Sequence, residues 1–287
     1  MFYYCGILSS LKITSFKTGK VKDMSNMFAQ AKFLTELDLN NFDTSEVTNM
    51  EYMFNGCISL KSLDLTSFNI EKVTDMRCMF FKCYNLQKVE QKFRAPNAFD
   101  ITSMFDLCSK LESIDLSNFG VSNVHYMPLM FCNCKNLKTV NLSNFIAENV
   151  WYIDNLFHNC TSLKTIDLTN FKTSSTSGMG NLFLGCEQLE YLDLSSFDFS
   201  SVTNMGNMFS RCYSLTSIKV KSFNTIRVEV TDNMFKDCKK LTSFDLSGFS
   251  TDSLINMSYM FYGCILVTSL DLSKFNTKKV TNMAHMF

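Results

Sequence analysis

The sequence predicts an α/β solenoid of about eleven 26-residue repeats, with a parallel β-sheet along one face and short helical or 3₁₀ segments on the other, in one domain over 1–287. Three observations predict it. A Met-Phe or Leu-Phe dipeptide recurs, its Phe at 2, 28, 54, 80, 105, 131, 157, 183, 209, 235, 261 and 287, so that ten intervals are 26 residues and one is 25. All 18 methionines fall at two phases of that repeat, as at Met50 and Met53. A second Phe recurs in every copy, from Phe16 to Phe275.

Each element follows from one unit. Leu60-x-x-Leu63-x-Leu65 alternates as a short strand does. Polar residues between Phe68 and Val73 make the corner. From Val73 through Met76, Met79 and Cys83 to Leu86 an apolar residue stands at every third place, which suits a short helix or 3₁₀ turns with one buried stripe. A lone unit cannot bury that edge, whereas stacked units bury it against each other. The 25-residue interval lies between Phe80 and Phe105, where Leu-Asp-Leu-Ser-x-Phe shrinks to Val89-Glu90-Gln91-Lys92-Phe93. The period suits a leucine-rich horseshoe, and three straight faces would equally make a flatter β-solenoid.

Composition narrows the function. Lys plus Arg is 27 and Asp plus Glu is 27, so no global field draws the chain to nucleic acid or an anionic membrane. No apolar run approaches the roughly 20 residues that span a bilayer, and the N-terminal stretch carries no basic leader. Ten of the 12 cysteines sit three residues after the recurring Phe, with Ala31 in that slot of another copy. One small apolar thiol per repeat reads as a structural column, filled for size, rather than as a disulfide framework or zinc site. The methionines read as flexible core fillers, not a copper stripe. His125, His158 and His285 occupy different phases, and no Ser-His-Asp set, phosphate loop or His-Glu-x-x-His motif appears. No catalytic residue, metal site or cofactor is expected.

The pattern Val-Thr-Asn-Met-x-x-Met-Phe-x-x-Cys-x-x-Leu-x-x-Leu-Asp-Leu-Ser-x-Phe, as in Val47–Phe68 and Val202–Phe223, resembles the BspA-like leucine-rich repeat surface proteins, in particular the 26-residue branch found in bacterial lipoproteins. The resemblance covers essentially the whole chain. It implies an extracellular, surface-attached protein acting in adhesion or in binding a host or matrix protein, or a surface glycan, and it carries over no catalytic residues. A complete member of that family is expected to carry a leader, a lipid-attachment cysteine or a wall anchor, none of which is visible within these residues. Both ends stop in mid-repeat, so further repeats or a cap are expected beyond each. A spacer or stalk, and an intracellular interaction solenoid, are the competing roles.

Two sets of residues are candidate contacts. The position between the strand leucines is mostly acidic, at Asp38, Asp64, Asp115, Asp167, Asp193, Asp245 and Asp271. Stacked carboxylates repel, so the column either meets a basic surface or serves local bonds to neighbouring Ser and Thr. Where most copies read Val-Thr-Asn-Met, three successive copies carry rings instead. Stacking would make Phe99, His125 and Trp151 neighbours, with Tyr126 and Tyr152 beside them. Such a patch marks a binding surface if it is exposed, and fills space left by the short coil if it is not.

Overall fold

The computed structural model describes residues 2–120, 122–246 and 248–287. The chain winds in coils that stack in register. One ladder of parallel bridges runs from Asp23 through Asn49, Asp75, Asp100, Tyr126, Tyr152, Gly178, Asn204, Val230 and Asn256 to Asn282. On another face lie short parallel strands: β1 (Ser62–Leu65) with β2 (Lys88–Gln91), β3 (Ser113–Asp115) with β4 (Thr139–Asn141), and β5 (Tyr191–Asp193) with β6 (Ser217–Lys219). Period-2 alternation sets their register. Leu63 pairs with Val89, Ile114 with Val140 and Leu192 with Ile218, and the first five of these are buried. A slip of one residue would turn these apolar side chains into water.

The helical or 3₁₀ segments expected opposite the strands do not form among the described residues. That run is a chain of β-turns. Met27, Ala29 and Ala31 donate N–H to the carbonyls three residues back, while Met24, Asn26, Phe28 and Gln30 donate to Asn49, Glu51, Met53 and Asn55 of the next coil. A helix would consume every donor within its own turn. Here alternate donors are given to the neighbour, and left-handed residues at Asn26 (φ 56°) and Gln30 (φ 63°) reverse the chain before a helical turn can close.

From Phe28 to Phe261 the recurring Phe residues form one buried column. Phe28, Phe54, Phe80 and Phe105 are fully buried, and successive ring planes lie within 10° of parallel, with centroids 5.5, 5.4 and 5.0 Å apart. Burial of each ring contributes about 1.5–3 kcal/mol. Ring–ring geometry adds about 0.5–1.5 kcal/mol, so burial dominates. The missing residue is absorbed at a corner. Phe68 donates its N–H to the Leu65 carbonyl at 3.0 Å, whereas Phe93 donates to the side-chain Oε1 of Gln91. The Phe column is tightest across that coil, at 5.0 Å.

The cysteine slot does more than fill space. Cys83 Sγ donates to the Phe54 carbonyl at 3.1 Å, and the same bond recurs from Cys57 (3.2 Å) through Cys108, Cys134, Cys160, Cys186, Cys212 and Cys238 to Cys264. Each thiol thus ties its coil to the preceding one. All the cysteines are free.

Candidate binding surface

The rings of three successive coils come together. Phe99 lies 4.7 Å from His125 and 5.6 Å from Tyr126; Trp151 lies 4.6 Å from His125 and 5.3 Å from Tyr126; Tyr126 and Tyr152 stack at 6.0 Å. Phe99, Trp151 and Tyr152 remain 44%, 39% and 41% exposed. Space-filling by buried rings therefore does not describe them. The backbone beneath keeps the ladder, with Phe99, His125 and Trp151 donating N–H to Thr74, Phe99 and His125. Asn97, Asn123 and Asn149 clamp the same three coils through side-chain bonds of 2.7–2.8 Å to carbonyls of the coil before. His125 Nδ1 meets the Asn123 carbonyl at 2.8 Å, so Nδ1 carries a proton there.

Local chemistry explains why rings are tolerated here. At the ladder position most copies use Asn or Asp to accept the N–H two residues on, as Asn49 does for Glu51 and Asp100 for Thr102. After Tyr126 the residue two on is Pro128, which has no N–H to satisfy. After Tyr152 it is Asp154, whose own carboxylate accepts its N–H and that of Gly180, the latter at 2.9 Å. The next coil is bare: a Cβ on Gly178 would collide with the Asp154 carboxylate and approach Tyr152 Cδ1 to 3.0 Å. Tyr152 and Trp151 thus stand as a wall beside the low step Ser177-Gly178. Burial raises the Asp154 pKa above the usual carboxylate range, and among the described residues it makes no ion pair. Asp154 carried no signal in the repeat pattern, because its position holds Glu51, Arg77, Thr102 and Pro128 in preceding coils.

The acidic column is placed differently. Asp38, Asp64, Asp115, Asp167, Asp193 and Asp271 each accept the N–H two residues on, at 2.9–3.0 Å, and Asp64 and Asp167 also accept the Thr66 and Thr169 hydroxyls. Asn141 does the same for Ser143. These bonds hold the Asp64, Asp115, Asp167 and Asp271 carboxyls below the usual range. Asp193 falls to about 2, chiefly through Lys219, whose Nζ is 2.8 Å away. Asp245 is engaged as well. The column turns the chain out of the strand.

One constellation was not visible as a motif. Asp106, Cys132 and His158 follow one another in the stack, with Cys132 Sγ 3.6 Å from His158 Nδ1 and Asn133 Nδ2 bridging Cys132 and Asp106. It lacks an activated nucleophile. Burial, then the Asp106 charge, pushes the Cys132 thiol up to about 12, and burial lowers His158; a neutral thiol is a poor nucleophile. Among the described residues no cluster of three His, Cys, Asp or Glu is disposed to hold a metal, and no helix is long and apolar enough to cross a membrane.

The family model described as "Mycoplasma protein of unknown function, DUF285" matches residues 1–114, 99–217 and 178–287. No curated protein matches the sequence. Among solved structures, a leucine-rich repeat protein from Bacteroides ovatus is similar at a TM-score of 0.56 and 18% identity, over 99% of this chain and 70% of that one. A leucine rich cell surface protein from Faecalibacterium prausnitzii is similar at a TM-score of 0.50 and 19% identity, over 95% and 76%. At these identities the likeness is one of fold, and it is the leucine-rich repeat fold that the BspA-like resemblance implied.

Proposed function

This chain belongs to the DUF285 family, and from that premise we propose that it is a non-catalytic protein-interaction scaffold displayed at a cell surface, acting in adhesion. The ring patch carries the reading. Five rings break the repeat template in three adjacent coils, and three of them keep about two-fifths of their surface in water. Exposed aromatic clusters of this kind supply most of the energy at protein interfaces. The long repeated surface favours many shallow contacts with a large partner over enclosure of a small molecule. The surface location is supported by the Faecalibacterium relative, described as a cell surface protein. The acidic column adds little, since turn capping already occupies its carboxylates.

The test is retention of the chain on a panel of purified extracellular-matrix proteins. The unaltered protein is expected to bind at least one member, and the double variant Trp151→Ala, Tyr152→Ala to bind it at least tenfold more weakly. Equal retention of both proteins would remove the ring patch from the interface.

A further inference from the structure

We propose that the ring patch receives cationic side chains, arginine or lysine, from a basic extended segment of a protein partner. The inference rests on the patch being the binding surface and adds the chemistry of what it binds. Its first support is charge. On the Asp100 side of the rings, Arg77 is the one guanidinium set among Asp75 at 2.7 Å, Glu51 at 2.9 Å and Asp100 at 3.7 Å. The surplus is felt there: after burial, the Asp75 charge is the next cause raising the Glu51 pKa, with Asp100 and Asp23 also contributing. On the other side stands Asp154, beside Tyr152 and with no ion pair among the described residues. The rings are thus bracketed by carboxylates that outnumber the local cations.

The second support is the rings. An aromatic face is itself negative and attracts ammonium and guanidinium groups within about 6 Å. The chain uses this attraction elsewhere: Lys236 Nζ sits 4.7 Å from the Tyr259 ring centre and 5.7 Å from that of Tyr262. No lysine or arginine of the described residues covers Phe99, Tyr126, Trp151 or Tyr152 in that way. A cation arriving from a partner would meet exposed ring surface and carboxylate together. A neutral glycan could stack on the same rings but would leave the surplus charge uncompensated. The coils repeat along the stack, so a segment running parallel to it can place successive basic side chains over Phe99 and Trp151.

Trp151 is the single tryptophan, so its emission reports the patch directly. The full chain is titrated with a short Gly-Ser peptide interspersed with arginines, with the same peptide carrying glutamates, and with a neutral cello-oligosaccharide. The arginine peptide is expected to shift or quench the emission saturably, and binding should weaken at least fivefold in Asp154→Asn and again at raised salt. Asn keeps an acceptor for the Gly180 N–H, so this variant should fold, and Asp100→Asn serves as a second variant. The proposal is overturned if the glutamate peptide or the oligosaccharide alone moves the emission, or if neither Asn variant weakens the arginine peptide. The two readings fail separately. A matrix partner lost by Trp151→Ala, Tyr152→Ala yet held fully by Asp154→Asn overturns only the cationic ligand; one held by all variants removes the patch itself.

Discussion

At the scale of single residues, the cysteines divide into a shielded column and a few accessible thiols. Burial drives Cys83, Cys108, Cys134, Cys160, Cys212 and Cys238 well above an ordinary thiol, and Cys57 up to about 12. Alkylation of the native protein at pH 8 should therefore leave these unmodified, whereas unfolding should expose all twelve, a difference that mass spectrometry reads directly. The sign for stability follows from linkage. A thiol whose folded pKa is raised contributes stability that is fully present below its unfolded value of 9.0 and lost as pH rises towards the folded value. The melting temperature should fall from pH 9 upwards, and less steeply when Cys134 and Cys160 are replaced by Ala. The strand aspartates act in the opposite direction. The lowered pKa values of Asp64, Asp115, Asp167, Asp193 and Asp271 give stability present above 3.8 and lost as pH falls, towards about 2 for Asp193. Asp115→Asn should be nearly neutral, because Asn141 already performs that task, while Asp115→Ala should cost about 1 kcal/mol in urea denaturation.

At the scale of the element, spacing made the strands and the Phe column legible but not the turn run. An apolar residue at every third place is common to a helical stripe and to tandem turns, so Val73, Met76, Met79 and Cys83 could not separate the two. The discriminating signal was at the polar positions between them. Asn155, Asn181, Asn207 and Asn233 recur at one phase and Gly56, Gly185 and Gly263 at another, and all take positive φ. Asn and Gly recurring at such phases are what left-handed turn residues require. Asn207 (φ 56°) is a direct check. Asn207→Gly should be tolerated, whereas Asn207→Val, a β-branched residue forced into the left-handed region, should destabilise by about 1–2 kcal/mol. Equal effects in thermal melts would mean that this backbone does not hold the left-handed turn. The ring patch was legible for the same reason as the column, since a departure from the template at one phase becomes a neighbour after one coil. Asp154 was not, because its role depends on a missing cap at Tyr152 and on the space that Gly178 leaves open.

At the scale of the whole molecule, a stack in which each coil bonds to the coils on either side should not melt as one unit when its middle is weakened. Phe131 lies in the buried column between Phe105 at 5.7 Å and Phe157 at 5.6 Å, in the same coil as His125 and Tyr126. Replacing it by Ala should cost about 3–5 kcal/mol, concentrated on the coils that carry Phe99, His125 and Trp151. Those coils should then open at lower urea than the stack as a whole. Trp151 emission samples the weakened segment, while backbone circular dichroism averages over all coils. The two transitions should separate in Phe131→Ala, and the dichroism transition should broaden as the slope of free energy with urea falls. Coincident transitions at a lower midpoint would show instead that coupling between coils is strong enough to spread a single cavity over the full stack. In that case binding at the ring patch would stabilise distant coils as much as its own.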